Sequence, residues 1–285
     1  MTDPVLIRHD SPALKAARAQ FWNAGWEKRS RDWLGLDLDG VLAIRREFAE
    51  ALQREAYPSV TDITPERVAG KVFLNIGCGG GQEGLLFAGY GVRYVGVDVA
   101  FNAARYTTEL IRKAGFQGAA VQGEAEHLPI RSGSIDFVYS NGVLHHTPET
   151  EAALAEVGRV LAPGGTAMIG LYPTYSLHFL TYRLKGLIAG KWNPRAYAGW
   201  LHGITELEWK TEGRTNRWTK TYTRAEFGAM LVRAGFRSSA IRQVHFQLKE
   251  LPILGKLILR HLPDWVAERR GFRFGGMLMA TCRMA

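Results

Sequence analysis

Cysteine is scarce in this sequence. Only Cys78 and Cys282 occur in 285 residues, far apart and outside any metal-ligand spacing. No metal site is indicated, and a reducing compartment is expected, although the one pair could still bridge. No run of about 18 apolar residues exists, so no segment reads as a membrane span. The start, Met1-Thr2-Asp3-Pro4, lacks a basic segment leading into an apolar core, so no signal peptide is expected. Internal repeats and low-complexity segments are also missing. These absences leave a cytoplasmic enzyme as the default expectation.

What is present suits a globular protein: 46% hydrophobic and 22% charged residues, in a length fitting one large domain or one domain with substantial additions. The net charge of +9 is unevenly spread. Residues 1–70 carry 10 Lys/Arg against 11 Asp/Glu, residues 71–171 carry 7 against 9, and residues 172–285 carry 19 against 7. The basic excess of the last segment reads either as a solvated face or as attraction to an anionic partner. That partner would be an acidic substrate, a membrane surface or nucleic acid.

Residues 11–33 and 41–57 read as amphipathic helices rich in Arg, Trp and Phe, broken near Gly35 to Gly40, with 58–70 as a linker. From Lys71 apolar runs alternate with helical stretches. Strands are expected at 71–76, 92–98, 118–122, 134–140 and 165–171, with helices at 82–90, 101–115 and 149–162. Ala162-Pro163-Gly164-Gly165 reads as a helix stop and turn. After Tyr172 the alternation pauses. Residues 176–190 are basic, aromatic and amphipathic, and 191–221 are polar and Trp-rich; so long an insertion is a lid, a binding loop or disordered. A helix at Thr223 to Ala234, an extended 238–246, a helix at 251–262 and a strand at 272–283 follow. Strand-helix alternation implies a parallel sheet covered on both faces.

The run Val72-Phe73-Leu74-Asn75-Ile76 breaks into Gly77-Cys78-Gly79-Gly80-Gly81 and then into a helix. Glycine there permits a tight turn and close approach of backbone to a ligand. The following helix aims unpaired N–H groups at whatever lies over the turn. Tyr94-Val95-Gly96-Val97 ends at Asp98, seventeen residues after Gly81. A carboxylate so placed suits the two hydroxyls of a ribose. These features describe a nucleoside-cofactor site. Gly79-x-Gly81-x-x-Gly84 also fits the dinucleotide fingerprint, so an NAD(P)-dependent oxidoreductase stays in view. Counted from Gly77, however, the third glycine comes one position early for that pattern.

Further stretches separate the cofactors. Leu74 to Gly81 resembles the first motif of class I S-adenosylmethionine-dependent methyltransferases, and Val95-Gly96-Val97-Asp98 resembles their ribose-binding strand end. Gly123-Glu124-Ala125-Glu126-His127-Leu128-Pro129 is similar to their adenine-contacting segment. Ser134 to Pro148 resembles their fourth strand and its loop, and Glu156 to Gly165 the helix and turn before their fifth strand. The resemblance is to the small-molecule branch labelled type 11, whose late helix Thr223 to Phe236 also resembles. It covers roughly 60% of the chain and leaves out residues 1–70 and 176–221.

The resemblance implies an α/β fold: a Rossmann-like, seven-stranded, mostly parallel sheet with helices on both faces, N-terminal helices and an inserted helical lid. The implied boundaries are 1–70 for a helical cap, 71–171 for the cofactor core, 172–222 for a lid and 223–285 for the rest of the core. It implies S-adenosyl-L-methionine as cofactor and no metal. The binding residues would be Asn75, Gly77, Cys78, Gly79, Gly81, Asp98, Val99, Glu124, Ala125, Asn141 and Gly142. Asp98 would take the ribose, Glu124 and Ala125 the adenine, and Asn141 and Gly142 the amino group. Glu124 stands where the family usually has Asp.

Each residue also has a structural reading. The glycines could form a plain turn, Cys78 a packing residue and Asp98 a helix cap. His145, His146 and Tyr172 are the catalytic candidates, a near-neutral imidazole being suited to deprotonating or orienting an acceptor. Adjacent histidines diverge, so only one should face the cofactor, and His145 matches the acceptor-side histidine of related phospho-base enzymes. Trp22, Trp26 and Trp33 read as core of the N-terminal helices or as lining of the acceptor pocket. Asn141-Gly142-Val143-Leu144 is not an Asn-Pro-Pro-Tyr motif, which argues against base or glutamine methylation. A small-molecule acceptor, anionic in one version, is expected. A lipid or quinone reached through 176–190 at a membrane surface, RNA as the least favoured acceptor, and cofactor binding without turnover are the alternatives.

Overall fold

The computed structural model describes residues 12–54, 63–176, 179, 219–244 and 275–284. Seven strands form one sheet in the order β3-β2-β1-β4-β5-β7-β6. They are β1 Val72–Ile76, β2 Arg93–Asp98, β3 Gly118–Gln122, β4 Ile135–Asn141, β5 Leu161–Leu171, β6 Phe236–Val244 and β7 Met277–Met284. β1 to β5 run parallel, and β7 lies antiparallel between β5 and β6. The helices are α1 Pro12–Ser30, α2 Leu38–Arg54, α3 Pro65–Val68, α4 Gln82–Ala88, α5 Phe101–Lys113, α6 Thr150–Val160 and α7 Arg224–Arg233. The expected α/β fold is thus found; the helix expected at 251–262 and nearly all of 176–221 lie outside the described residues.

The two-residue period of the strands divides the core between the faces of the sheet. Leu74 and Ile76 of β1 join Val138, Ala167 and Ile169 beneath Leu154 and Val157 of α6 and Phe227 and Leu231 of α7. Phe73 points the other way, into Phe87, Tyr94, Ile111, Phe137 and Tyr139. Its ring lies parallel to that of its cross-strand partner Phe137, centroids 5.2 Å apart. Each such fully buried side chain stabilises by roughly 1.5–3 kcal/mol, and an aromatic pair adds about 0.5–1.5 kcal/mol. Both faces of β1 are therefore fixed, which holds its C-terminal edge in place.

Three details differ from expectation. β5 begins at Leu161 rather than 165, because Ile135 already pairs with Leu161. The Pro163-Gly164 stretch, with Gly164 at φ 75°, forms an irregularity inside the strand rather than a turn before it. α2 starts at Leu38, since the Asp37 side chain accepts a hydrogen bond from the Gly40 N–H at 2.9 Å and Gly40 lies within the helix. The expected linker contains α3 and the buried Ile63. Among the described residues, no helix is long and apolar enough to cross a membrane.

Candidate active site

The site forms where β1, β2 and β4 end side by side. After Ile76 the chain turns through Gly77 at φ 76° and Gly79 at φ 54°, and Gly81 precedes α4 at φ 90°. A Cβ on Gly77 would sit 2.2 Å from Val143 Cγ2, and one on Gly79 would sit 2.5 Å from the Trp26 ring. Only glycine fits both backbone and space at these positions. The Gly77 N–H donates to the Val97 carbonyl at 2.7 Å, tying the turn to β2.

Asp98 braces two elements at once. Its Oδ2 accepts from the Gly79 N–H at 3.0 Å and its Oδ1 from the Ala100 N–H at 2.8 Å, so it braces the glycine turn and the entry to α5. It also borders the cavity above the turn. Burial pushes its carboxyl up to about 6, opposed by those two N–H donors. Cys78 is buried and reduced, and burial raises its thiol well above the ordinary value, so it packs rather than reacts.

The cavity above the turn has a volume of about 350 Å³. Gly77, Cys78, Gly79, Gly81, Asp98, Val99, Ala125, Asn141, Gly142, His146 and Tyr172 all border it, so most of the expected residues meet in one place. Three do not. Asn75 is wholly buried beneath the turn, where β1 alternation aims it at α4, and its Nδ2 donates to the Tyr94 hydroxyl at 3.2 Å. Glu124 faces outward and pairs with Lys15 at 3.0 Å, while Glu126, two residues on, borders the cavity. His145 is turned into the interior.

The histidine pair diverges as adjacent residues must, but in the opposite sense to the expectation. His145 is completely buried, with its ring 3.8 Å from that of Tyr172 and neither ring nitrogen hydrogen-bonded among the described residues. Burial, then the neighbouring His146 and Lys220, hold its pKa well below the ordinary value, so it stays neutral. His146 borders the cavity instead, its Nδ1 3.2 Å from Thr219 Oγ1.

α1 roofs the cavity. Arg18, Trp22 and Trp26 line it from above, while Trp33 packs with Val41, Leu85 and Leu110. The roof is fastened by Arg18 Nη1 to Glu126 Oε1 at 3.0 Å, by the Asn102 N–H to Asn23 Oδ1 at 2.7 Å, and by the Tyr106 hydroxyl to Glu27. Sequence reasoning missed Arg18, Glu126 and Glu83. Glu83 also lines the cavity, and its Oε1 accepts from the Tyr139 hydroxyl at 3.1 Å. Its signal was an acid placed directly after the glycine turn.

A family model for a methyltransferase domain matches residues 74–169, the stretch that builds β1 to β5 and the turn. This match and the relatives below indicate an S-adenosylmethionine-dependent methyltransferase. The chain is 27% identical over 274 residues to the malonyl-[acyl-carrier protein] O-methyltransferase of Methylococcus capsulatus, covering 90% of each chain. It is 29% identical over 213 residues to the enzyme of the same name from Geobacter sulfurreducens, covering 68% of this chain and 71% of that one. Its fold is similar to that of an S-adenosylmethionine-dependent methyltransferase of Thermotoga maritima, with TM-score 0.53 at 16% identity over 86% and 93% of the two chains.

The residues fit the cofactor. Asp98 presents a carboxylate beside the cavity at the tip of β2, the glycine turn has no space for a Cβ at Gly77 or Gly79, and the Asn141 Oδ1 at the tip of β4 is buried without a partner among the described residues. Oxygen acceptors therefore stand on either side of β1, where a ribose and an amino group would need them. Bound S-adenosylmethionine supplies a methyl group already activated on sulfonium sulfur. The chain's own part is alignment, and exclusion of water by Trp22 and Trp26.

Proposed function

We propose that this methyltransferase acts on a small anionic acceptor admitted at the Tyr172–His146 end of the cavity. One observation carries the reading. Arg18 is held by Glu126 through Nη1 at 3.0 Å and lies 3.8 Å from Glu124 through Nη2, while its buried Nε lacks a hydrogen-bond partner among the described residues. A guanidinium N–H left unpaired on a cavity wall suits an anionic oxygen. The excess of 19 Lys/Arg over 7 Asp/Glu in residues 172–285 would favour approach of the same charge. The two malonyl-[acyl-carrier protein] O-methyltransferases support it by name, since the malonyl group ends in a carboxylate.

His145 is kept neutral and out of the cavity, so it does not serve as the acceptor's base. His146 and Tyr172 border the cavity and would orient the acceptor. Residues 1–70 and 172–222 select the acceptor in this reading, with the core 71–171 common to methyl transfer. The test uses acceptor pairs that share a nucleophile and differ by one carboxylate, with labelled S-adenosylmethionine. The anionic member should show kcat/KM higher by on the order of tenfold, and Arg18→Met should abolish the difference. Preference for the neutral member would refute it.

A further inference from the structure

Residues 219–222 lie as a strap across the wall that carries His146 and Tyr172. On one side the Lys220 N–H donates to the His145 carbonyl at 3.0 Å. On the other the Tyr222 N–H donates to the Tyr172 carbonyl at 2.9 Å, and the Thr174 N–H to the Tyr222 carbonyl at 2.8 Å. Side chains alternate along the strap. Lys220 Nζ reaches the Pro148 carbonyl, and the Tyr222 hydroxyl donates to Thr150 Oγ1 at 2.9 Å. Thr219 turns to His146 instead, its Oγ1 3.2 Å from the ring Nδ1, and it is buried. His146 borders the cavity and Thr219 does not, so whatever Thr219 contributes there passes through the imidazole.

The contact matters because shape alone does not fix that ring. His146 packs among Trp22, His145 and Tyr172, with ring centroids 5.4, 4.1 and 5.5 Å away. An imidazole turned over about its Cβ–Cγ bond fills the same space but exchanges Nδ1 with Cδ2 and Nε2 with Cε1. A hydrogen bond tells the two states apart, and a polar atom left buried against carbon costs more than the bond itself contributes. The bond made by one ring nitrogen also decides which of the two carries the proton. We propose that Thr219 is a positioning residue whose hydroxyl donates to His146 Nδ1, placing the ring proton on Nε2 as a donor to an anionic oxygen of the acceptor. This rests on the anionic acceptor proposed above, which a bare Nε2 lone pair would repel. It adds a residue outside the cavity that sets what the cavity recognises.

The test follows the ring nitrogens of His146 by NMR in the full chain, isotope-labelled at histidine, at about pH 8.5, where an ordinary imidazole is neutral. Loss of a signal in His146→Asn assigns it. In wild type the proton should sit on Nε2 alone. Thr219→Val, nearly the same shape, should displace the Nδ1 signal and give a mixture of ring states, whereas Thr219→Ser should keep the wild-type pattern. Malonate, the anionic probe, should shift the Nε2–H signal in wild type and Thr219→Ser and bind on the order of tenfold more weakly to Thr219→Val. A wild-type ring protonated on Nδ1 overturns the proposal, even should the variants fail to fold. So does a Thr219→Val ring identical to that of wild type. Malonate that leaves His146 untouched in wild type overturns the anionic reading, and the donor role with it. Malonate that shifts the ring equally in all three proteins keeps the anionic reading and removes Thr219 from it.

Discussion

Gly77→Ala should disable the turn on which the site is built, and its cost divides into two parts. Gly77 adopts φ 76°, a region that costs an L residue about 1–2 kcal/mol. The new Cβ would also lie 2.2, 2.7 and 2.9 Å from Val143 Cγ2, Cγ1 and Cβ. No rotamer of Val143 relieves all three, because its Cβ is fixed by the backbone. Overpacking of this kind costs about 1–3 kcal/mol. The sum, roughly 2–5 kcal/mol, should lower the melting midpoint of the ligand-free protein by about 5–15 °C. Affinity for S-adenosylhomocysteine should fall by on the order of tenfold or more, since the displaced backbone lines the cavity. Val143→Ala removes both Cγ atoms but keeps the Cβ at 2.9 Å, so the double variant should regain most of the overlap part while retaining the backbone part. Urea melts of the four proteins close the cycle. A Gly77→Ala protein within about 0.5 kcal/mol of wild type, or a double variant with no rescue, would refute this account of the turn.

Two further expectations concern charge. Burial raises Glu83 from 4.5 to about 7 and Asp98 from 3.8 to about 6, so the folded protein holds protons that the unfolded chain has released. These groups contribute stability that is fully present below about pH 4 and lost as pH rises toward 7, each by up to about 3 kcal/mol. Glu83→Gln should therefore gain stability relative to wild type between pH 5 and pH 8 in urea melts; a pH-independent difference would contradict the shift. Arg18→Met strips the cavity roof of its link to Glu126, a pair with side chains 4% and 7% exposed. Leaving that carboxylate unpaired should cost up to about 3 kcal/mol and hasten proteolytic cleavage within α1, with Arg18→Met/Glu126→Gln recovering part of the loss. Equal cleavage rates would argue against α1 as a fastened roof.

The parts of the site legible in the sequence are those written locally. The glycine turn and Asp98 lie in consecutive strand ends, where period-two alternation and a break into glycine reveal both the element and its edge. Arg18, Trp22 and Trp26 lie more than forty residues upstream of the turn. An amphipathic helix shows the same apolar stripe whether it covers a core or a cavity, so their position came only from tertiary packing. Glu83 reads from sequence as an acid in a helix's first turn, favoured there by the helix dipole. Only the β1–β4 pairing brings Tyr139 and Asn141 against it. The choice between His145 and His146 was undecidable locally, because a short 3-10 turn at Leu144–His146 and the distant Thr219 set their directions. Glu124 and Glu126 were similarly close; a bridge between Glu124 and His127 turns the first outward and Arg18 claims the second.

The central claim is that the bend after Ile76 and the carboxylate of Asp98 hold an adenosyl amino acid. Thermal melting of the purified chain with S-adenosylhomocysteine or with a nicotinamide dinucleotide tests it directly. At a hundred times its Kd the former should add about 2.7 kcal/mol and raise the midpoint by about 5–10 °C, while the latter leaves it unchanged. A shift with the nicotinamide compound and none with S-adenosylhomocysteine would contradict the account.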